Sequence, residues 1–238
     1  MEDPTQQLTA SPLMLLFTPS LVPGVESEAG AESDGEIGAA LGVLESALAA
    51  RAASGPAIGS VQLRIKAATG PSHARALYTW GARLADFFTG LANPPLLLIN
   101  DRVDVALALG DDAAGVHLGQ SDLPIAAARK LLGAKALIGR STHDFAQVLV
   151  ATEEGANFLG FGPIHATATK GYERGIGSEQ AWIASAATGL PIFPIGGIGM
   201  ANAGELSEVG RAAVSSAILT AKDPGATAAA IATALAAD

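Results

Sequence analysis

The sequence predicts an α/β fold, a single (β/α)8 TIM barrel over residues 1–238. Short apolar segments alternate with longer Ala-rich segments eight times along the chain. Eight such units occupy about 225 residues, the usual size of a closed barrel. No linker or break in composition divides the middle of the chain. A doubly wound open sheet of similar length is the alternative.

The N-terminal residues 1–11 are polar and acidic, and are expected to be flexible; a secretory signal would need basic residues there. The first strand spans 13–18 (LMLLFT). Residues 19–35, rich in Gly, Ser, Pro and acid, read as a long acidic loop after it. Helix 36–53 precedes strand 60–65, and helix 72–91 precedes strand 95–100. Helix 102–109, strand 115–118, helix 123–131, strand 136–139, helix 144–154 and strand 157–161 follow in turn. Helix 178–188, strand 191–195, helix 201–208, strand 212–215 and helix 224–236 complete the pattern. The strands are brief and apolar throughout, as in a parallel sheet buried on both faces. Helix starts carry local marks: Asp122 precedes Leu-Pro, and Asp223 precedes Pro224.

The 238 residues are 49% hydrophobic and 16% charged, which suffices for a large core. A net charge of -9 argues against unaided binding to nucleic acid or an anionic membrane surface. The absence of cysteine removes disulfides, thiol nucleophiles and zinc-thiolate sites. No apolar run reaches the roughly 18 residues needed to span a bilayer. A cytoplasmic location is the expectation. Association into a homo-oligomer through the Ala-rich C-terminal helix is compatible with the pattern, and core burial accounts for it equally well.

In barrels of this kind the C-terminal strand ends form the active face, so the polar residues there are the candidates. Gln62, Arg64 and Lys66 alternate in VQLRIK and project together, which suits an anionic ligand; a solvated edge is the plain alternative. Asn100 and Asp101 end the third strand, and Asp122 follows the fourth. Hard oxygens on neighbouring strand ends suit Mg2+. Helix capping is the competing explanation for both carboxylates. Ser141, Thr142 and His143 follow the fifth strand, where caps and a structural histidine are common. A Ser/His/Asp triad lacks a supporting Gly-x-Ser-x-Gly elbow. The loop in GFGPIHATATKG offers Thr167, Thr169 and Lys170 for phosphate oxygens. Gly197 in IGGIG, with Ser215 and Ser216 in AVSSAI, falls where barrels commonly hold phosphate.

VQLRIK, NDRVDVA, GVHLGQSD, STH, FGPIHATATKG, PIGGI and SSAI occur in the order and spacing of thiamine phosphate synthases, and residues 58–220 resemble that family. The resemblance implies a barrel that joins hydroxymethylpyrimidine diphosphate to thiazole phosphate, releasing pyrophosphate with Mg2+. It implies Gln62, Arg64, Lys66 and Asn100 at the pyrimidine diphosphate, and Asp101 and Asp122 as the Mg2+ carboxylates. Ser141 and Lys170 would meet pyrophosphate, with Thr167 and Thr169 in the loop over the substrates. Gly197, Ser215 and Ser216 would hold the thiazole phosphate, and His143 joins the substrate-binding set.

The chain also departs from that pattern. The first strand lacks the family's acidic ending. Arg140 stands where a small apolar residue is usual. Arg140, His143 and KGYERGIG are similar to the related thiazole tautomerase, in which the matching histidine moves a proton without metal. The Asn100-Asp101 pair and Asp122 are features of the synthase. A non-catalytic ligand-binding barrel is the third alternative.

Overall fold

The computed structural model describes residues 4–26, 33–65, 71–166 and 174–237. Eight strands form one sheet: β1 (Leu13–Phe17), β2 (Ile58–Leu63), β3 (Leu96–Asn100), β4 (Gly115–Leu118), β5 (Leu137–Thr142), β6 (Phe158–Phe161), β7 (Ile192–Pro194) and β8 (Ala212–Val214). Their order is β8-β1-β2-β3-β4-β5-β6-β7, and every neighbouring pair is parallel. A parallel bridge from Ile195 to Ala213 carries the β7 edge back onto β8, so the expected barrel forms.

The helices are α1 (Pro4–Thr9), α2 (Asp34–Leu48), α3 (Pro71–Thr89), α4 (Val103–Leu109), α5 (Ile125–Leu132), α6 (Phe145–Glu153), α7 (Ser178–Ala187), α8 (Ser216–Leu219) and α9 (Pro224–Leu235). α9 starts where the sequence marks it: Asp223 accepts from the Ala226 amide at 2.9 Å with Pro224 in the first turn. α6 is capped by Asp144, which accepts from the Gln147 amide at 2.8 Å. Among the described residues no helix is long and apolar enough to cross a membrane.

Two apolar clusters divide the barrel. Leu8, Met14, Leu16, Leu98, Leu137, Phe158, Phe193 and Ala213 form the inner one. Met14 and Leu16 alternate along β1 with Leu13, Leu15 and Phe17, which belong to the larger cluster between strands and helices. α9 contributes Ala228, Ile231, Ala232 and Leu235 to that larger cluster, so core burial accounts for its Ala-rich sequence.

Several expected boundaries move. Residues 4–9, within the segment expected to be flexible, are helical, and Leu8 is buried with the inner cluster. Burying Leu8 contributes about 1.5–3 kcal/mol toward ordering a short polar segment with little helix propensity of its own. Part of the long acidic loop is ordered too. Pro19–Leu21 makes a 3-10 turn, and α2 begins at Asp34 behind a reciprocal capping box of Ser33 and Glu36. Residues 27–32 lie outside the described residues. The helix expected to reach residue 53 stops at Leu48, because Arg51–Ala52 and Gly55–Pro56 pair as a small hairpin. The helix expected over 201–208 is only a 3-10 segment, Ala203–Leu206.

Candidate functional site

Inward-facing positions change from apolar to polar toward the C-terminal strand ends. Gln62 on β2, Asn100 on β3, His117 on β4 and Ser141 on β5 meet above Met14, Phe158 and Phe193. Asn100 is in register with His117. The Gln62 Nε2 donates to Asn100 Oδ1 at 2.6 Å, and His117 Nε2 lies 2.9 Å from Ser141 Oγ. Gln62 and His117 are buried, so this network is a polar layer inside the barrel and not a solvated edge. Above it opens a cavity of about 760 Å³, lined among others by Arg64, His117, Ser141, His143, Gly197, Ser215 and Ser216. That volume suits a small-molecule ligand.

Arg64 sits at the junction of the polar layer and the cavity. Burial lowers its guanidinium pKa, and the nearby Asp101 charge acts in the opposite direction. The guanidinium stays cationic at neutral pH. Its Nη1 atom is buried with no hydrogen-bond partner among the described residues. A buried donor of this kind suits an anionic acceptor.

The capping explanation fails for both candidate metal carboxylates. Arg102 occupies the N-cap position of α4, and Pro124 that of α5; neither helix has a side-chain cap. Asp101 instead takes a left-handed backbone with φ 63°, its amide donating to the His117 carbonyl at 2.8 Å. Asp122 accepts the Gly119 amide on Oδ2 at 2.6 Å, and its own amide returns to the Gly119 carbonyl at 3.2 Å. Backbone in sparsely populated conformations is concentrated at functional sites. Among the described residues no group of three or more Asp, Glu or His is arranged to hold a metal. Two carboxylates are nonetheless a fitting set for Mg2+, which commonly takes one or two and fills its octahedron with phosphate oxygens and water.

The remaining candidates divide. His143 lines the cavity, and its Nδ1 lies 2.5 Å from the Gly162 carbonyl. Ser215 spends its hydroxyl proton on the Leu16 carbonyl at 2.8 Å, while Ser216 opens α8 on the cavity wall. Gly197 has φ 65°, and a Cβ there would meet the Ala166 carbonyl at 2.7 Å, so only glycine suits the position. Lys66, Thr167, Thr169 and Lys170 lie outside the described residues. Arg140 lines neither the cavity nor the polar layer below it; its side chain reaches the Gln120 and Leu123 carbonyls.

Two contributors were missed in the sequence. His117, in GVHL, reads as a core residue until β4 is set beside β3. Its one legible signal is a histidine at an inward position level with Asn100. Asn202 shapes the β7 loop by donating to the Gly197 carbonyl at 2.9 Å and accepting from the Gly199 amide at 2.8 Å. Its signal is only an Asn shortly after a Gly-rich turn.

A family model described as thiamine monophosphate synthase matches residues 37–218. The chain belongs to the thiamine monophosphate synthase family. Within it, the thiamine-phosphate synthase of Prochlorococcus marinus is 50% identical over 134 residues, covering 56% of this chain and 37% of that protein. The thiamine-phosphate synthase of Gloeobacter violaceus is 45% identical over 169 residues, covering 70% and 47%. The chain thus spans less than half the length of these curated relatives. The solved thiamine phosphate pyrophosphorylase of Pyrococcus furiosus has a TM-score of 0.71, with 29% identity and 95% of both chains covered. A 3-hexulose-6-phosphate synthase from Salmonella typhimurium, 15% identical with a TM-score of 0.59, shares the fold alone.

Proposed function

We propose that this chain is a thiamine phosphate synthase, joining 4-amino-2-methyl-5-hydroxymethylpyrimidine diphosphate to thiazole phosphate. The observation that carries this reading is the placement of Asp101 and Asp122. Asp101 directly follows β3 and Asp122 lies in the loop after β4; neither is the N-cap residue of the helix that follows, and Asp101 acts electrostatically on the half-buried Arg64 guanidinium. Family membership, the 760 Å³ cavity and the Arg64 donor support it further.

In this reading Gln62 and Asn100 hold the pyrimidine, whose ring presents both donors and acceptors to their amides. Arg64, with Lys66 and Lys170, meets the diphosphate, and Ser141 donates to its oxygens. Thr167 and Thr169 belong to the segment that meets the substrates. Gly197 and Ser215 hold the thiazole phosphate by close backbone approach, and Ser216 by its hydroxyl. Asp101 and Asp122 would hold Mg2+, which when bound there offsets charge developing on the departing pyrophosphate. The pyrimidine C–O bond breaks with its electron pair leaving on pyrophosphate. The electron-rich ring supports the resulting benzyl-like cation, and the thiazole nitrogen lone pair forms the new C–N bond. No protein nucleophile is required. The barrel supplies fixed cations, alignment and exclusion of water.

A metal-independent thiazole tautomerase is the second reading, favoured by His143 in the cavity with its Nδ1 held at Gly162. The deciding experiment incubates the chain with both substrates, with Mg2+ or with EDTA, and analyses products by mass. The synthase reading expects thiamine phosphate and pyrophosphate only with Mg2+, and their loss in Asp101→Ala and Asp122→Ala. Isomerisation of a thiazole tautomer alone, persisting in EDTA and abolished by His143→Ala, overturns it.

A further inference from the structure

We propose that Arg140 is a positioning residue that holds Asp122 in its metal-binding orientation from outside the barrel. This rests on the synthase reading and deepens it by assigning a role to a residue that lines neither the cavity nor the polar layer.

Arg140 lies on β5 next to the inward-facing Ser141, so strand alternation turns its side chain toward the helical layer. The residue is only 8% exposed. A buried guanidinium has five donors to satisfy. Among the described residues its hydrogen bonds go to the Leu123 carbonyl from one nitrogen and the Gln120 carbonyl from the other, each at 3.4 Å. Both bonds are long, and the cationic donor strengthens them in a poorly solvated place. The two carbonyls flank Asp122 on either side in sequence.

The segment they belong to needs such support. It joins β4 to α5, and α5 starts at Ile125 without a side-chain cap. Gln120 adds a second tie to the same strand, its Nε2 donating to the Ser141 carbonyl at 2.6 Å. Within the segment the Asp122 carboxylate closes a tight turn on the Gly119 amide at 2.6 Å. One oxygen is thereby fixed against the backbone, and the orientation of the other follows from where the turn is held. The turn is held by β5, through Arg140 and Gln120. Groups that orient a metal ligand commonly change metal affinity about 10–100-fold when removed.

The test is direct binding of Mn2+ with pyrophosphate, followed by electron paramagnetic resonance, on the full chain and on Arg140→Met and Arg140→Lys. Arg140→Met is expected to weaken Mn2+ binding by about 10–100-fold. The Mg2+ concentration for half-maximal turnover should rise by the same factor, with kcat at saturating Mg2+ within about threefold of the original. Arg140→Lys keeps the charge but loses the two-pronged donor, and should weaken Mn2+ by a smaller factor. Circular dichroism establishes that each variant is folded. Unchanged Mn2+ affinity in folded Arg140→Met overturns the proposal; if that variant does not fold, unchanged affinity in Arg140→Lys does so. An unmodified chain that fails to bind Mn2+ with pyrophosphate also overturns it. Failure of the unmodified chain to make thiamine phosphate is a separate result, and refutes the synthase reading.

Discussion

His117 on β4 and Ser141 on β5 meet inside the barrel, Nε2 to Oγ, at 2.9 Å. The imidazole is wedged between strands. Phe158 packs against it with ring centroids 5.5 Å apart, and Gly160 on β6 leaves room for its edge. A Cβ at Gly160 would stand 2.9 Å from His117 Cε1 and 3.2 Å from Nε2. The Ser141 hydroxyl proposed to meet pyrophosphate is therefore oriented by a ring whose position depends on a missing side chain two strands away.

Gly160→Ala should displace the imidazole and lower turnover about tenfold, corresponding to roughly 1.4 kcal/mol of barrier. Steady-state pyrophosphate release measures it, and His117→Ala in the Gly160→Ala background should add little further loss. Independent, additive losses from the two changes would show that they do not act through one contact.

Gly119→Ala should spare the fold and damage metal binding. The added Cβ would lie 2.9 Å from Asp122 Oδ2, the end of a movable side chain, with the next atom of that group at 3.8 Å. The carboxylate can swing aside at little cost to stability, but it then loses the orientation set by the Gly119 amide. The thermal midpoint should change by only a few degrees, as for a surface change of about 0.5 kcal/mol. The Mg2+ requirement should rise on the order of tenfold, as when a metal ligand loses its orienting partner. An unchanged Mg2+ titration refutes the prediction.

The barrel was legible because its strands are brief, apolar and evenly interspersed with helices, a pattern few other topologies can bury. Gln62 and Arg64 stood out because period two places them on one face of their strand, and Asn100 because it ends an apolar strand beside Asp101. His117 was not, since one histidine in an apolar strand has no marked role until its register with Asn100 is known. The capping of Asp101 and Asp122 could not be decided from spacing either. An acid before a helix looks the same whether its oxygen meets the helix amides or, as at Asp122, turns back onto Gly119. The helix expected at 201–208 failed for a local reason: Asn202 commits both ends of its amide to the Gly197–Gly199 turn, and only a 3-10 segment follows. α1 depended on the barrel floor that buries Leu8, a contact distant in sequence.

Beside the site, Arg102 and Asp104 form an ion pair over the first turn of α4. The Arg102 hydrogen bond is the main cause lowering the Asp104 carboxyl pKa below its ordinary 3.8. A depressed carboxyl pKa contributes stability above the unfolded value and loses it as pH falls through the folded value. The Asp104 side chain is 63% exposed, so screening limits the pair to a few tenths of a kcal/mol. A double-mutant cycle of Arg102→Ala and Asp104→Ala, read by urea unfolding, should give that coupling at pH 7. It should shrink as pH falls below about 3.8 and at high salt. Coupling that persists at low pH would refute the assignment.

Asp101 offers a test in which stability and function separate. Its φ of 63° lies in the left-handed region, where a non-glycine residue is held at a cost and glycine is at ease. Were the carboxylate present for stability, Asp101→Gly should lower the unfolding free energy. If it is retained for chemistry, the backbone relief should roughly balance any lost contacts, leaving stability within about 1 kcal/mol of the original or above it. The amide-to-carbonyl bond to His117 is a backbone contact and survives the change. Removing one of only two candidate metal carboxylates should lower Mg2+-dependent turnover at least 100-fold, an effect on the order of 3 kcal/mol. Asp101→Asn keeps the side-chain size and tolerance of the left-handed backbone, and should lose activity to a similar extent without a gain in stability. Chemical denaturation and an Mg2+ titration of turnover on the two variants measure both quantities. A stable, active Asp101→Gly chain would remove Asp101 from the metal site and leave Asp122 as its only proposed carboxylate.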